Sequence, residues 1–103
     1  MLSGRTTAFI RIAIIAAALL AAGCESMPVQ EMSDARQAIT AAREAGAEEY
    51  AAEVLLQAEE SLQSAEMYLS SRNYGVARSE AIAAKTKAIS ALHVSEASRE
   101  NQN

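Results

Sequence analysis

The sequence predicts an all-α fold, an antiparallel helical hairpin of two long helices preceded by a shorter one. Three observations lead there. Beyond Pro28 there is no further proline, and Ala, Glu, Gln, Leu, Arg and Ser dominate, a composition that favours helix. Apolar residues then recur at spacings of three and four, the period of one helix face. Two weak points, Gly46 and the polar run Ser70-Ser71-Arg72-Asn73, divide this pattern into three stretches.

The first element stands apart from the others. Half of the 103 residues are hydrophobic, but unevenly so: Met1 to Gly23 holds Phe9, Ile10, Ile12, Ile14, Ile15, Leu19, Leu20 and seven alanines, with Arg5 and Arg11 as its only charges. Its apolar run, Ile12 to Ala22, is 11 residues long, whereas a helix that spans a bilayer needs roughly 20. Two arginines, a short apolar run and then small residues match the three regions of an export signal. Residues 1–23 are therefore expected to be a signal peptide, cleaved between Gly23 and Cys24. Leu20-Ala21-Ala22-Gly23-Cys24 resembles the lipobox of bacterial lipoproteins, with Leu20 one residue further out than its commonest place. That resemblance implies a diacylglycerol on the Cys24 thiol and a third acyl chain, palmitate-like, on the new amine. One chain binds a membrane only marginally, and two or more anchor it stably. The competing readings of a lone cysteine are a buried or reactive thiol, or half of an intermolecular disulfide. Glu25 in place of Asp leans towards the outer membrane over the inner, by resemblance to enterobacterial sorting. Residues 24–32, with Met27 and Pro28 and no periodic pattern, read as a lipidated flexible tether.

The helical domain is expected over 33–98. The first helix, 33–45, has Ser33 or Asp34 as its cap and an inner face of Met32, Ala35, Ile39, Ala42 and Gly46. The second, 47–71, carries a heptad seam of Ala51, Leu55, Ala58, Leu62, Ala65 and Leu69. The third, 73–98, is capped by Asn73 and repeats the seam with Tyr74, Ala77, Ala81, Ala84, Ala88 and Ala91, flanked by Ile82, Ile89 and Leu92. Residues 99–103 are expected to be a disordered tail. A short turn makes the two long helices antiparallel neighbours. Centring it on Arg72 sets Leu62 against Ala81 and Ile82, Leu55 against Ala88 and Ile89, and Leu69 near Tyr74 and Ala77. The same register sets Glu66 near Arg78, and Glu59 or Glu60 near Lys85.

Charge is segregated along the chain. Glu44 to Ser71 holds seven acids and no base, and Arg72 to Leu92 holds four bases against Glu80 alone. Net charge is −4 for the whole chain and −6 from Cys24 onward, with 7 Lys and Arg against 13 Asp and Glu. Nucleic acid and anionic lipid headgroups are poor partners for such a surface. The core is thin, since Ile, Leu and Val supply 12 of the 80 residues after the leader, and 17 alanines compensate through helix propensity and close packing. A domain of this size and composition is expected to be marginally stable or to self-associate.

No constellation for catalysis is visible. His93 is the only histidine and has no companions at metal-ligand spacing. Glu48-Glu49 and Glu59-Glu60 are adjacent on a helix and point about 100° apart, so they do not converge. Ser61, Ser64, Ser70, Ser71, Ser79 and Ser90 lack a base to activate them, and the glycines are isolated, with no phosphate-binding loop. Tyr50, Tyr68 and Tyr74 read as packing residues of the seam or turns.

Asp34-Ala35-Arg36-Gln37-Ala38-Ile39, the run Ala41-Ala42-Arg43-Glu44-Ala45-Gly46-Ala47-Glu48-Glu49-Tyr50-Ala51, and Asn73-Tyr74-Gly75-Val76-Ala77 carry a family resemblance. They resemble domain-of-unknown-function family 4398 (DUF4398) of small bacterial envelope proteins, over roughly Met32 to Leu92. Family members often carry a proline after Tyr-Ala where this chain has Ala52, and some are fused to an OmpA-like peptidoglycan-binding domain, which is not expected after Asn103. The resemblance implies no established activity.

The expectation is a non-enzymatic, lipid-anchored protein of the bacterial cell envelope, at the periplasmic face of the outer membrane. Its partners would be the membrane, through lipid on Cys24, and an envelope protein or further copies of itself. No cofactor, metal, nucleic acid or small-molecule substrate is expected. Two alternatives remain open: a structural coiled-coil outer-membrane lipoprotein, against whose murein-linked form the final Asn103 counts, and an accessory regulator of a cell-wall enzyme.

Overall fold

The structure, a computed structural model, describes residues 7–15 and 26–102. Residues 7–15 are helical (α1), and the side chains of Phe9, Ile10, Ile12, Ile14 and Ile15 are all exposed. Four further helices follow: α2 (Val29–Glu44), α3 (Ala47–Tyr50), α4 (Ala52–Ser70) and α5 (Tyr74–Gln102). The all-α class and the antiparallel pairing of the two long helices are as expected, but α2 packs on α5 nearly as extensively as α4 does. The shorter preceding helix thus packs onto the expected antiparallel hairpin and completes a three-helix bundle.

Helix directions follow from paired residues. Arg36 with Glu66 and Arg43 with Glu59 make α2 antiparallel to α4. Glu31 with Arg78 and Asp34 with Lys85 make α2 parallel to α5. One end of the bundle therefore gathers the start of α2, the end of α4 and the start of α5. The other gathers the α2–α3–α4 junction and the end of α5.

The core is the predicted set of seams. Ala77, Ala81, Ala84, Ala88 and Ala91 on α5 are completely buried, and Ser95 extends the row, its hydroxyl donating to the Ala91 carbonyl at 2.7 Å. Against them lie Met32, Ala35, Ile39 and Ala42 of α2 and Ala51, Leu55, Ala58 and Ala65 at and along α4. Apart from Pro28, Met32, Ile39 and Leu55, every buried apolar residue among the described residues is alanine. Leu62 joins the cluster of Ala65 and Ala81, and Leu55 that of Ala88, matching the expected register. Ile82 and Ile89 do not take part as expected: both are exposed, one residue out of phase with Ala81 and Ala88.

Several boundaries differ from the sequence reading. Helix α2 begins at Val29, so the expected tether of 24–32 is helical over its last residues. Pro28 lies at the N-cap with φ −77° and ψ 54°, and the Val29 N–H donates to the Met27 carbonyl at 2.8 Å, an inverse γ-turn that Pro28 is preset to centre. Pro28 and Met32 are buried, which holds this turn on the bundle. Ser33 and Asp34, the expected caps, lie inside the helix and accept hydrogen bonds from Gln37 and Gln30 instead.

The expected helix 47–71 is broken at Ala51 (φ −147°, ψ 41°). Its first turn, α3, folds over the end of the bundle with Ala47 and Ala51 buried, and α4 then returns antiparallel to α2. Helix α5 runs on to Gln102, so 99–102 are not a disordered tail. Arg99 donates to the Ala45 carbonyl at 3.5 Å, and the Tyr50 hydroxyl donates to Gln102 at 2.8 Å. These contacts satisfy the end of α2 and fix the last turn of α5.

Both tight turns use a left-handed residue. Gly46 (φ 95°) ends α2, and a Cβ there would meet the Tyr50 ring at 3.2 Å. Arg72 (φ 62°) ends α4, with the Asn73 N–H donating to Tyr68 and the Arg72 N–H to Leu69, a Schellman closure with arginine where glycine is favoured. Asn73 precedes α5 as expected, its carbonyl accepting the Ala77 N–H at 3.0 Å.

Two predictions follow from the seam and the turns. Ala84→Leu has no room beside its neighbours and should lower the unfolding free energy by about 1–3 kcal/mol, whereas exposed Ala97→Leu should change it by less than about 0.5 kcal/mol. Gly46→Ala should cost about 1–2 kcal/mol through left-handed strain, and Arg72→Gly should stabilise by up to about 1 kcal/mol through relief of the same strain. Thermal unfolding of the full chain, followed by circular dichroism, measures all four.

Candidate functional site

Gly23 and Cys24, the expected cleavage and lipidation positions, lie outside the described residues. Ser26, two residues beyond Cys24, is fastened to the bundle. Arg78 on α5 donates through Nη2 to the Ser26 carbonyl at 2.8 Å and through Nε to Glu31 at 3.1 Å. Its side chain is about one-third exposed, so this fork is better shielded than the other interhelical pairs of the bundle. Sequence reasoning assigned Arg78 to Glu66 and missed Ser26, because 52 residues separate the two partners.

The other interhelical ion pairs among the described residues also run through α2. Glu66 meets Arg36 at 3.3 Å, Glu59 meets Arg43, and Lys85 meets Asp34 at 3.8 Å. None of the pairs expected directly between α4 and α5 forms. Lys87 instead donates to the buried Ser61 hydroxyl at 2.9 Å. The cause is the third helix: α2 presents acids to α5 on one flank and arginines to α4 on the other, and so takes the partners that a two-helix hairpin would have left for each other. Each exposed pair contributes about 0–1 kcal/mol.

Between α2 and α4 runs an open groove of about 560 Å³, floored by Ile39 and Leu62 and bridged by the Arg36–Glu66 and Arg43–Glu59 pairs. Its charges are mutually neutralised, which leaves nothing to fix an ionised ligand. The outward side of α5 differs in kind. Ser79, Ile82, Thr86, Ile89 and His93 are all exposed and fall at spacings of four and three, forming a second stripe opposite the alanine seam. No Asp, Glu, Lys or Arg interrupts it. His93 lies 3.7 Å from Glu96, an exposed pair. Among the described residues no group of three His, Cys, Asp or Glu side chains could hold a metal ion. Tyr50 packs at the Gly46 turn as expected, whereas Tyr68 is exposed beside Met67 and Ser71.

The two ends contrast in charge. At the α2–α3–α4 junction and the end of α5 lie Glu44, Glu48, Glu49, Glu53, Glu96 and Glu100, against Arg43 and Arg99. At the other end, over 26–31 and 67–78, the only acid is Glu31, which Arg78 engages.

A family model for a domain of unknown function, DUF4398, matches residues 30–103. The chain belongs to this family. Neither a curated protein nor a solved structure matches it. The DUF4398 match begins one residue into α2 and takes in the whole bundle, so the family domain and the three-helix unit coincide. No helix among the described residues is long and apolar enough to cross a membrane.

The Arg78 fork yields a prediction. Arg78→Gln should speed amide hydrogen exchange at Val29 and Met32 several-fold, since it releases Ser26 and Glu31 together. Arg36→Gln should leave both amides unchanged, and equal effects of the two substitutions would count against the fork as the fastening.

Proposed function

We propose that this DUF4398 protein is a non-enzymatic, lipid-anchored component of the bacterial cell envelope whose helical bundle binds another envelope protein or further copies of itself. The anchor reading rests on the leader composition and on Cys24 in its lipobox-like context. The interaction reading is carried by one observation, the uncharged stripe Ser79-Ile82-Thr86-Ile89-His93 left uncovered along α5. A helix that buries one heptad face within its own domain and displays a second is built to accept a further helix. The outer membrane, periplasmic face inward, is the proposed location, on the strength of Glu25 after Cys24.

Cys24→Ser should abolish acylation and leave the leader uncleaved; a variant that still fractionates with membranes at the mature size would refute the anchor. Ile82→Glu combined with Ile89→Glu should eliminate the products captured from crosslinked cells. Its fold should persist, since exposed substitutions typically shift stability by less than about 0.5 kcal/mol. Unchanged capture in a folded double variant would rule out the stripe. Recovery of the chain alone favours self-association, and recovery of a synthase or hydrolase favours regulation of a cell-wall enzyme.

A further inference from the structure

We infer that the end of the bundle built from residues 26–31 and 67–78 rests on the bilayer surface, with the helices directed away from it. The inference rests on the proposed lipid at Cys24 and adds an orientation to it. The fastening of Ser26 is the first ground. Arg78 holds the Ser26 carbonyl at 2.8 Å, and buried Pro28 follows directly. Only Glu25 separates Ser26 from Cys24, so the backbone between Cys24 and Ser26 can reach at most about 7 Å. Acyl chains on Cys24 must enter the hydrocarbon, and this reach is too short for the bundle to turn its opposite end, about 43 Å away along the 29-residue α5, to the membrane.

The surface at this end is the second ground. Met27, Val29, Met67, Tyr68 and Val76 are exposed there, and an aromatic ring with a polar tip suits the headgroup boundary. The one described acid, Glu31, is neutralised by Arg78, and Arg72 at the turn has no carboxylate partner among the described residues. The acid-rich end would be repelled by anionic headgroups. The chain is acidic overall, yet its charge is distributed so that the tolerant end lies beside the anchor.

The test uses the full chain, purified after processing in cells. Acylation occupies Cys24, so Ser71→Cys, Glu48→Cys or Asn101→Cys provides the single free thiol, and all three positions are exposed. Each variant is labelled with a fluorophore and placed in vesicles of phosphatidylethanolamine and phosphatidylglycerol containing headgroup spin-labelled lipid. Quenching at position 71 should exceed that at 48 and 101 by about threefold or more, since a 29-residue helix such as α5 holds its ends about 43 Å apart. Equal quenching at all three positions, or stronger quenching at 48 or 101, overturns the orientation. The mass of the purified chain separates the two readings. Unmodified Cys24 overturns the anchor together with the orientation, and acylated Cys24 with equal quenching overturns the orientation alone.

Discussion

The row of alanines on α5 is the constraint on which the rest depends. A methyl group at Ala77, Ala81, Ala84, Ala88 and Ala91 lets two helices approach α5 closely at once, and all five positions are sealed from solvent. Larger side chains there would have filled the space that α2 occupies and left a two-helix hairpin. The few large buried residues, Met32, Ile39 and Leu55, come from the neighbours and enter the room that the alanines leave. Stability therefore derives from closeness of approach and helix propensity more than from apolar bulk, which explains how a chain so poor in Leu, Ile and Val closes a core.

Packing against a row of methyl groups does not itself decide on which side of the α4–α5 hairpin α2 lies. Charge can decide it. On one flank α2 carries Glu31 and Asp34, which meet Arg78 and Lys85 of α5; on the other it carries Arg36 and Arg43, which meet Glu66 and Glu59 of α4. Moving α2 to the opposite side of the hairpin would set its acids against those of α4 and its arginines against the bases of α5. The individual pairs are weak, but four reversals from attraction to repulsion add in one direction. The segregation of acids into α4 and bases into α5 thus serves a third helix, which reads both.

This explains which parts of the molecule were legible in the sequence. Heptad spacing identifies the buried face of each helix, and the seams of α2, α4 and α5 were visible residue by residue. Spacing does not say how many neighbours cover that face. The partners of Glu59, Glu66, Arg78 and Lys85 were misassigned for that reason, and Ile82 and Ile89 were placed in a contact that α5 does not make. Helix ends were obscured by contacts distant in sequence: Pro28 starts α2 because Met32 is buried beneath it, and α5 persists to Gln102 because Arg99 and Gln102 find Ala45 and Tyr50. Of the candidate site, the expectation of a leader and of lipid on Cys24 rests on the sequence alone, since Gly23 and Cys24 lie outside the described residues. The Arg78–Ser26 link was not legible, since no local pattern marks a bond across 52 residues.

The link alters what a weak contact surface can achieve. Ile82 and Ile89 offer little apolar area, too little to hold a partner firmly in free solution. On the proposed anchor the chain would be confined to a plane, and a short fastened entry would give every copy the same upright orientation. The stripe on α5 would then always face sideways, at a fixed height above the bilayer. Confinement and alignment raise the effective concentration of one such stripe for another, or for a partner helix in the same membrane. Under those proposed conditions a modest stripe without Asp, Glu, Lys or Arg would suffice, because the anchor would supply the concentration that its small apolar area does not.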